Sequence, residues 1–375
     1  MISTTIFPGR YVQGKDARKG LAAELSRYGD KGIAVCDPFV HKTMLADFEP
    51  YMKDGVQVTI EKFGGECSDK EIDRLCILAK KAECQFIVGL GGGKTLDTAK
   101  AVAFEVKVPV IVVPTIAATD APCSALSVIY TSEGKFLRYL VLPRNPDLVL
   151  MDTQIVANAP VRLLVSGMGD ALATWFEAES CMQKYAPNMT GKVGSMAAYA
   201  LARLCYDTLL KFGLAAKMVC ESHVVTPALE HIVEATTLLS GLGFESGGLA
   251  ASHAIHNGLT VLDRTHGFYH GEKVTIGVLT SLFLTDKSYE IINEVYDFCE
   301  SVGLPTTLAD IGLANVSDDE LAQVAAGSCA QGESIFNELI PVTPDTIFSA
   351  LKAADAEGRR RRSSHGRQHD SQIPG

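Results

Sequence analysis

Residues 86–100 read FIVGLGGGKTLDTAK, an apolar run that passes through consecutive glycines into a helical pattern. The run Phe86–Gly91 is apolar throughout, which is typical of a parallel strand buried on both faces. Consecutive glycines let a backbone approach a pyrophosphate, and the N-terminus of a following helix offers free N–H groups and a positive dipole end. The stretch therefore predicts a nucleotide-binding loop. The alternative is a glycine turn that only packs a helix against a strand.

Two familiar phosphate-binding motifs almost fit this loop. A P-loop requires glycine six residues before the lysine, and Val88 occupies that position. A dinucleotide fingerprint that starts at Gly89 and Gly91 requires glycine or alanine where Lys94 stands. The prediction therefore depends on the backbone chemistry of the loop rather than on either motif.

Further strand and helix signals alternate along the first 150 residues. Ser68 and Glu71 have the spacing of a capping box, and apolar residues recur at helical spacing after them. Such alternation predicts a Rossmann-like α/β domain with a parallel sheet over residues 1–159. The other predicted strands are Gly32–Asp37, Val56–Ile60, Val108–Pro114, Leu148–Asp152, and a hairpin of Val128–Tyr130 with Tyr139–Leu142.

Asp37 ends the first of these strands. At that position an acidic side chain can hydrogen-bond the ribose 2′-hydroxyl of an adenosine and repel a 2′-phosphate. Together with the glycine loop, this favours NAD over NADP. The alternative is that Asp37 only caps the next helix.

The pattern changes near Pro160. From there, apolar residues recur every 3.6 positions in segments rich in Ala and Leu, which predicts an all-helical domain over residues 160–356. These segments are Val161–Glu177, Val193–Lys211, Thr226–Leu242 and Gly271–Leu284, followed by a helix that begins at Thr343. The final residues, 357–375, contain four consecutive arginines and little that is apolar, so we expect a disordered tail.

Composition excludes several classes of protein. The chain of 375 residues is 47% hydrophobic and 21% charged, as in ordinary globular proteins. Its net charge of −10 disfavours nucleic acid and anionic membranes as partners. No run is long and apolar enough to span a membrane, and the N-terminus has no signal-peptide pattern. Ten cysteines without a C-x-x-C pair suggest a reducing compartment, so we expect a cytoplasmic protein.

A polar cluster interrupts the second domain. Asp170 lies in an otherwise apolar helical segment, where a carboxylate is costly unless it is paired or binds a cation. His253 and His256 share a helical face, and His266 and His270 follow shortly after. Histidine and carboxylate side chains are ligands for zinc or iron, and three protein ligands leave a position open for substrate. The alternative is a set of ordinary hydrogen-bonded histidines.

Several strings in the sequence resemble the glycerol dehydrogenases of the iron-containing (group III) alcohol dehydrogenase superfamily. The resemblance implies the two-domain fold shared with dehydroquinate synthase. It also implies Zn-dependent oxidation of glycerol and related vicinal diols to dihydroxyacetone with hydride transfer to NAD, and a homo-oligomer, an octamer in the family. The strings are GGGKTLDTAK (91–100), PTIAATDAPCSALSVIYT (114–131), GMGDALATWFEA (167–178), SGLGFESGGLAASHAIHNGL (240–259) and FYHGEKV (268–274).

The same resemblance assigns roles to individual residues. It implies that Asp170, His253 and His270 bind the metal, act in catalysis and contact the substrate. It implies that Asp120 also acts in catalysis and contacts the substrate hydroxyls. His256 falls outside the ligand set, and no role is implied for His266. The implied cofactor contacts are Asp37, Gly92, Gly93, Lys94, Thr95, Asp97, Thr115, Thr119, Ser124, Leu126 and Tyr130.

One position in the sequence indicates whether the site binds iron or zinc. Iron-type members of the superfamily carry a histidine four residues after the aspartate, and here that position is Thr174. The three remaining ligands suit zinc with one open position.

Three rival functions are weaker on the sequence. A dehydroquinate synthase or a glycerol-1-phosphate dehydrogenase must hold a phosphorylated substrate, and no Lys/Arg cluster stands near Asp170 or His253. A non-catalytic nucleotide-binding protein would not require an intact metal triad.

Overall fold

The computed structural model describes residues 2–370, and the side chains of residues 2–364. It contains β-strands β1 (Tyr11–Gly14), β2 (Lys31–Cys36), β3 (Gln57–Lys62), β4 (Phe86–Gly91), β5 (Val110–Pro114), β6 (Leu126–Tyr130), β7 (Phe136–Val141) and β8 (Leu148–Asp152). The first helices are α1 (Leu21–Leu25), α2 (Pro38–Thr43), α3 (Leu45–Met52), α4 (Asp69–Lys81), α5 (Gly93–Val106) and α6 (Thr153–Asn158). The remaining helices are α7 (Val161–Lys184), α8 (Met196–Glu221), α9 (Pro227–Glu234), α10 (Ser240–Gly247), α11 (Ala251–Leu259), α12 (His270–Leu284), α13 (Tyr289–Val302), α14 (Asp318–Ser328) and α15 (Pro344–Asp370).

Six of the strands form one parallel sheet in the order β1-β8-β5-β4-β2-β3. The central strands β4, β5 and β8 are buried along their whole length, which explains why their sequences are continuously apolar. The predicted α/β fold class is therefore confirmed, and the strands predicted at Phe86–Gly91 and Leu148–Asp152 have those bounds in the structure. The strands β6 and β7 pair antiparallel as the predicted hairpin.

Two local predictions need correction. The edge strand β1 was not predicted, because its four residues are only half-buried and carry no apolar run. Ser68 caps α4 as expected by accepting from the Glu71 N–H. The Glu71 carboxylate, however, does not complete a capping box. It accepts from the Gly64 N–H at 2.8 Å and pairs with Arg74.

The strand order reverses at β2 and β4. These neighbouring strands lead into connections that run to opposite sides of the sheet, which makes their carboxyl ends a topological switch point. Backbone hydrogen bonds tie the loops together there: the Asp37 N–H donates to the Leu90 carbonyl, and the Thr115 N–H donates to the Gly91 carbonyl. Ligands of open α/β sheets bind at such an edge, so the glycine loop occupies the position its sequence predicts.

Two compact units divide the chain. A sheet unit comprises residues 6–164 and 218–241, and a helical unit comprises residues 2–5, 165–217 and 242–370. The first boundary therefore lies after Leu164 rather than after Ala159 as predicted. Residues 218–241 belong to the sheet unit, although they were predicted in the helical domain. Side-chain contacts explain this: Glu230 of α9 accepts from Gln13 of β1 and from Thr153 of α6. Helical periodicity reports local structure and not which core a helix joins.

The segment predicted as one helix over Thr226–Leu242 is divided in the structure. A π-helical turn, Ala235–Leu239, separates α9 from α10. Within the helical unit, α11 packs against α12 and α14, and α15 packs against the same two helices. Over residues 2–370, no helix combines the length and apolar character needed to cross a membrane.

The predicted disordered tail differs from the structure, in which α15 continues through the arginines to Asp370. Arg361 is only 8% exposed, since it pairs with Asp297 and Glu300 of α13 and lies 5.5 Å from the Tyr296 ring. Acidic partners on a neighbouring helix replace the apolar burial that the tail lacks. The part of the predicted tail at residues 371–375 lies outside the described residues.

Candidate metal and nucleotide sites

Asp170 lies near the middle of α7 and is only 1% exposed. Its Oδ1 atom lies 3.4 Å from the Nε2 atom of His253 in α11 and 3.2 Å from the Nε2 atom of His270 at the start of α12. One ligand atom from each of these three residues lies within 4.8 Å of the other two. The structure therefore brings together side chains that are 100 residues apart in sequence, all within the helical unit.

Close helix crossings create this convergence. Gly271 follows His270, and a Cβ atom at position 271 would lie 1.8 Å from the Ser166 carbonyl oxygen of α7. Gly277, also in α12, approaches α11 so closely that a Cβ there would lie 2.2 Å from the Ser252 carbonyl oxygen. Because glycine has no side chain, α12 can approach α7 at Gly271 and α11 at Gly277. Each of these contacts lies beside a predicted metal ligand.

The charges of the three groups support one another. Burial opposes ionisation of Asp170, but the adjacent His270 and His253 outweigh it and lower the pKa of the carboxyl group well below its usual value. Burial also opposes a charged His253, yet the carboxylates of Glu177 and Asp170 raise its pKa well above the usual value. Without a metal, a proton on His253 supplies positive charge at the position where a cation would sit.

This donor set fits a divalent metal. Ligands bound at about 2.0–2.2 Å to one tetrahedral zinc ion lie roughly 3.3–3.6 Å from each other. The two Nε2–Oδ1 distances of 3.4 and 3.2 Å agree with that spacing. Two imidazoles and one carboxylate also form a set that binds Fe(II), so the donors by themselves fit either metal.

Two further histidines lie outside the ligand set. The ring of His256 packs edge-on against His270, with centroids 4.3 Å apart, and its Nδ1 atom lies 3.1 Å from the Asn257 Oδ1 atom. Burial and the neighbouring His270 and Lys273 lower its pKa well below the usual value, so His256 is neutral at pH 7. His266 bonds the Thr260 carbonyl at 2.9 Å, at the end of α11, which is a structural role.

Thr174, one helical turn after Asp170 on α7, packs its methyl group against Gly243 of α10. It is fully buried, and a Cβ atom at Gly243 of α10 would lie 2.4 Å from its Cγ2 atom. Among the His, Cys, Asp and Glu side chains described over residues 2–364, the group that could hold a metal contains Asp170, His253 and His270 and no fourth member.

The glycine loop forms the N-terminus of α5 in the sheet unit. Gly92 is the N-cap residue, and a Cβ atom built at Gly93 meets no atom within 4 Å. The first N–H groups of a helix have no intrahelical acceptor, so this open end of a 14-residue helix can receive a phosphate. Lys94 lies at the same end, where its Nζ atom bonds Glu66 at 2.6 Å and stands 5.0 Å from the centre of the Tyr130 ring.

Asp37 lies beside this helix end and already has hydrogen bonds. Its Oδ1 atom accepts from the Phe39 and Val40 N–H groups, so Asp37 caps α2. Its Oδ2 atom accepts from the Thr95 hydroxyl at 3.4 Å. The structure therefore shows the capping role and places the carboxylate next to the predicted nucleotide loop. The ribose contact stays a prediction.

The segment from Ala121 to Leu126 carries two predicted cofactor contacts and is anchored by Lys100. This lysine is 1% exposed, and its Nζ atom donates to the Ala121 carbonyl at 2.9 Å and the Leu126 carbonyl at 2.7 Å. It also contacts Ser124, and it pairs with Asp97 at 3.0 Å. Asp97 in turn accepts from the Val128 N–H at 3.0 Å, so this buried carboxylate and Lys100 fix the segment.

The other predicted residues of the sheet unit lie near the same segment. Asp120 immediately precedes it and accepts from the Ser240 hydroxyl at 2.6 Å. Thr115 and Thr119 lie between β5 and Asp120, the first buried and the second half-buried. Burial raises the pKa of Tyr130 to about 12, so its phenol is protonated at neutral pH.

Comparison with known proteins relates this geometry to a family. Residues 8–153 match the family described as iron-containing alcohol dehydrogenase. A glycerol dehydrogenase of Thermotoga maritima is 66% identical over 97% of this chain and its own full length. The chain belongs to the iron-containing alcohol dehydrogenase family. A glycerol dehydrogenase of Escherichia coli O6:H1 is 52% identical over 94% of the chain and 96% of that relative. The crystal structure of glycerol dehydrogenase from Schizosaccharomyces pombe superposes with a TM-score of 0.92 at 39% identity, over 97% of this chain and 93% of that one.

Three polar residues of this family member were not found by sequence reasoning. Glu177 contacts His253, Lys100 anchors the segment after Asp120, and Ser240 donates to Asp120. The signal for the first two was present, because a glutamate in the apolar part of α7 and a lysine among the buried residues of α5 each require a partner. Which partner each one has depends on tertiary contacts.

Proposed function

We propose that the protein is an NAD-dependent glycerol dehydrogenase that holds a catalytic zinc ion on Asp170, His253 and His270. The observation that carries this proposal is the convergence of these three donors within 4.8 Å. Support comes from the family to which the chain belongs and from its glycerol dehydrogenase relative at 66% identity. The open N-terminus of α5 at the switch point of the sheet supports a dinucleotide cofactor.

The reaction converts glycerol and NAD⁺ to dihydroxyacetone, NADH and one proton. Bound NAD⁺ would accept the hydride of the carbinol carbon, and the hydroxyl proton would leave to solvent. When bound, zinc acts as a Lewis acid that favours loss of this hydroxyl proton. The carboxylate of Asp170, kept ionised by its histidine neighbours, supplies negative charge to the metal position. Asp120, oriented by the Ser240 hydroxyl, is proposed to contact the substrate hydroxyls.

On the nucleotide side, Gly92, Gly93 and Lys94 are proposed to contact the pyrophosphate at the start of α5. Asp37 is proposed to contact the adenosine ribose, with Thr95 beside it. The remaining proposed cofactor contacts are Thr115, Thr119, Ser124, Leu126 and Tyr130. Asp97 was also predicted as a contact, but it is engaged with Lys100 and the Val128 N–H. Its proposed role is to hold the segment beside NAD.

Zinc is proposed over iron because Thr174 packs against Gly243 and provides no fourth protein ligand. A three-ligand site with one open position suits catalytic zinc. Metal analysis of the purified protein by mass spectrometry should find about one zinc per chain. Iron in place of zinc would contradict this part of the proposal and leave the metal triad intact.

The activity test follows NADH absorbance with glycerol and NAD, before and after treatment with a chelator. Activity should disappear with the metal and return with added zinc. Asp170→Asn and His270→Ala should abolish turnover and metal binding together. Undiminished oxidation of glycerol by metal-free protein would contradict the proposal, as would metal-loaded protein that oxidises no vicinal diol.

Assembly and location remain predictions. By resemblance we expect a homo-oligomer of eight chains, and from the cysteine pattern we expect a cytoplasmic protein. Light scattering coupled to size-exclusion chromatography measures the assembly directly. A mass of one chain at micromolar concentration would contradict it.

A further inference from the structure

Glu177 is a buried carboxylate that hydrogen-bonds α11, the helix that carries His253, and its N-cap residue Ala250. It lies seven residues after Asp170 on α7, two helical turns away, and is 1% exposed. Its Oε1 atom accepts from the backbone N–H groups of Ala250 at 3.0 Å and of His253 at 2.9 Å. Its Oε2 atom lies 2.6 Å from the Nδ1 atom of the His253 ring. One side chain therefore holds both the start of α11 and the imidazole.

The start of α11 has no cap of its own. Its N-cap residue, Ala250, has no side-chain acceptor, although Ser, Thr, Asp or Asn would normally fill this role. Glu177 accepts two of the N–H groups there, and Glu338 accepts a third, from Ala251, at 3.0 Å. Both carboxylates come from distant parts of the helical unit, so the position of α11 depends on tertiary contacts.

The contact with Nδ1 also determines the other ring nitrogen. A carboxylate can only accept a hydrogen bond, so the proton lies on Nδ1 of His253. In the tautomer that binds a metal, Nε2 carries no proton and presents its lone pair toward Asp170 Oδ1, 3.4 Å away. A metal cation between these two atoms would be bound by both of them.

We propose that Glu177 is a positioning residue that holds His253 in the orientation and tautomer that bind the metal. This inference rests on the metal site proposed above. The carboxylate acts through His253 and does not touch the metal or the substrate. Partners of this kind typically contribute about 10–100-fold to metal affinity.

Glu338 provides a matched control. It is also buried, it also caps α11, and its second oxygen accepts from the Ser180 hydroxyl at 2.6 Å. Its hydrogen bonds go to Ala251 and Ser180 rather than to His253 or another ligand of the triad. Glutamine at position 338 keeps an oxygen that can accept from the Ala251 N–H. The Glu177→Gln and Glu338→Gln variants therefore separate the capping role from the orientation of the histidine.

The experiment measures the zinc dissociation constant of metal-free full-length protein by competition with a chromogenic chelator. In Glu177→Gln, the side-chain carbonyl can still accept from α11, but the amide NH₂ group faces Nδ1 and moves the ring proton to Nε2. We expect the zinc dissociation constant to increase about 10–100-fold in this variant and to stay within about threefold of wild type in Glu338→Gln. Circular dichroism and thermal unfolding of the metal-free proteins confirm that each is folded.

Three outcomes overturn the inference. A folded Glu177→Gln protein with wild-type zinc affinity shows that Glu177 is only a cap. An equal loss of zinc affinity in Glu177→Gln and Glu338→Gln shows the same. If Glu177→Gln does not fold, Glu177→Asp is used. Its shorter carboxylate cannot serve both the α11 N–H groups and the imidazole, so wild-type affinity in that variant also overturns the inference. Wild-type protein that binds no zinc would instead contradict the proposed metal site itself. This result is distinct because it is obtained before any substitution is made.

Discussion

Gly271 of α12 lies against the backbone carbonyl of Ser166 in α7, with no space between them for a methyl group. The residue before Gly271 is His270, and Asp170 lies one helical turn after Ser166. The approach of the two backbones is thus the reason that the His270 Nε2 and Asp170 Oδ1 atoms come within 3.2 Å. Gly271, which has no functional group, therefore determines whether the metal donors meet.

Substituting Gly271 should therefore remove the metal site. In Gly271→Ala, the new methyl group would lie 1.8 Å from the Ser166 oxygen, so α12 must move away from α7. We expect loss of bound zinc and a loss of stability of about 1–3 kcal/mol. The measurements are zinc content by mass spectrometry and the free energy of unfolding in urea.

Gly267→Ala is the control, because a Cβ atom at this exposed position meets nothing within 4 Å. This variant should keep its zinc and its stability. Full zinc content in Gly271→Ala would show that the helices can separate without loss of the site.

Asp37 offers a way to separate capping from cofactor choice. Removing the cap of α2 in Asp37→Ala should cost about 1 kcal/mol. If the carboxylate also repels a 2′-phosphate, the ratio of kcat/KM for NAD to that for NADP should fall in the same variant. Asp37→Asn keeps an acceptor for the Phe39 N–H and removes the charge, so it should lower the cofactor ratio with little loss of stability. An unchanged ratio in Asp37→Asn would leave Asp37 with the capping role alone.

Lys100 should matter for stability and for the cofactor together. Lys100→Met leaves the buried carboxylate of Asp97 unpaired and removes the donor to the Ala121 and Leu126 carbonyls. Breaking a buried pair in this way typically costs about 3–5 kcal/mol. Because Ser124 lies on the released segment, we also expect the KM for NAD to increase. Urea unfolding and steady-state kinetics measure the two effects.

The double variant Lys100→Met with Asp97→Asn provides the check on this explanation. It removes the uncompensated carboxylate, so it should recover part of the lost stability while the KM for NAD stays high. A Lys100→Met protein with wild-type stability would mean that the buried ion pair contributes nothing to the fold.

The arginines of α15 should stabilise the helical unit. Arg361 is buried and pairs with Glu300 at 2.8 Å, although Asp297, one of its further partners, is 68% exposed. For this reason we expect Arg361→Ala to lower the free energy of unfolding by about 1–3 kcal/mol, less than the loss from breaking a fully buried ion pair. Lys352 also lies on α15, where it forms an exposed pair with Asp318 of α14, and Lys352→Ala should change stability by less than about 0.5 kcal/mol. Equal stability of Arg361→Ala and wild type would show that the acidic side chains do not order the tail.

Much of the fold could be predicted because the deciding signals are local. A strand buried on both faces must be apolar throughout, and β4 and β8 have that property, so their positions follow from composition. The order of the strands in the sheet, the membership of residues 218–241 in the sheet unit and the ordering of α15 carry no such signal. They depend on which distant side chains pair, as Glu230 with Gln13 and Arg361 with Glu300.

The amino-acid sequence by itself determined the elements, the glycine loop and the types of donor for a metal. Hydrophobic periodicity and the chemistry of each side chain are properties of short segments, and they are readable without a structure. Only the tertiary structure decided that Asp170, His253 and His270 meet and that Glu177 holds one of them. The physical reason is that the donors converge only when the helices approach so closely at Gly271 and Gly277 that no Cβ atom fits between them. Such contacts are set by packing between segments far apart in the chain.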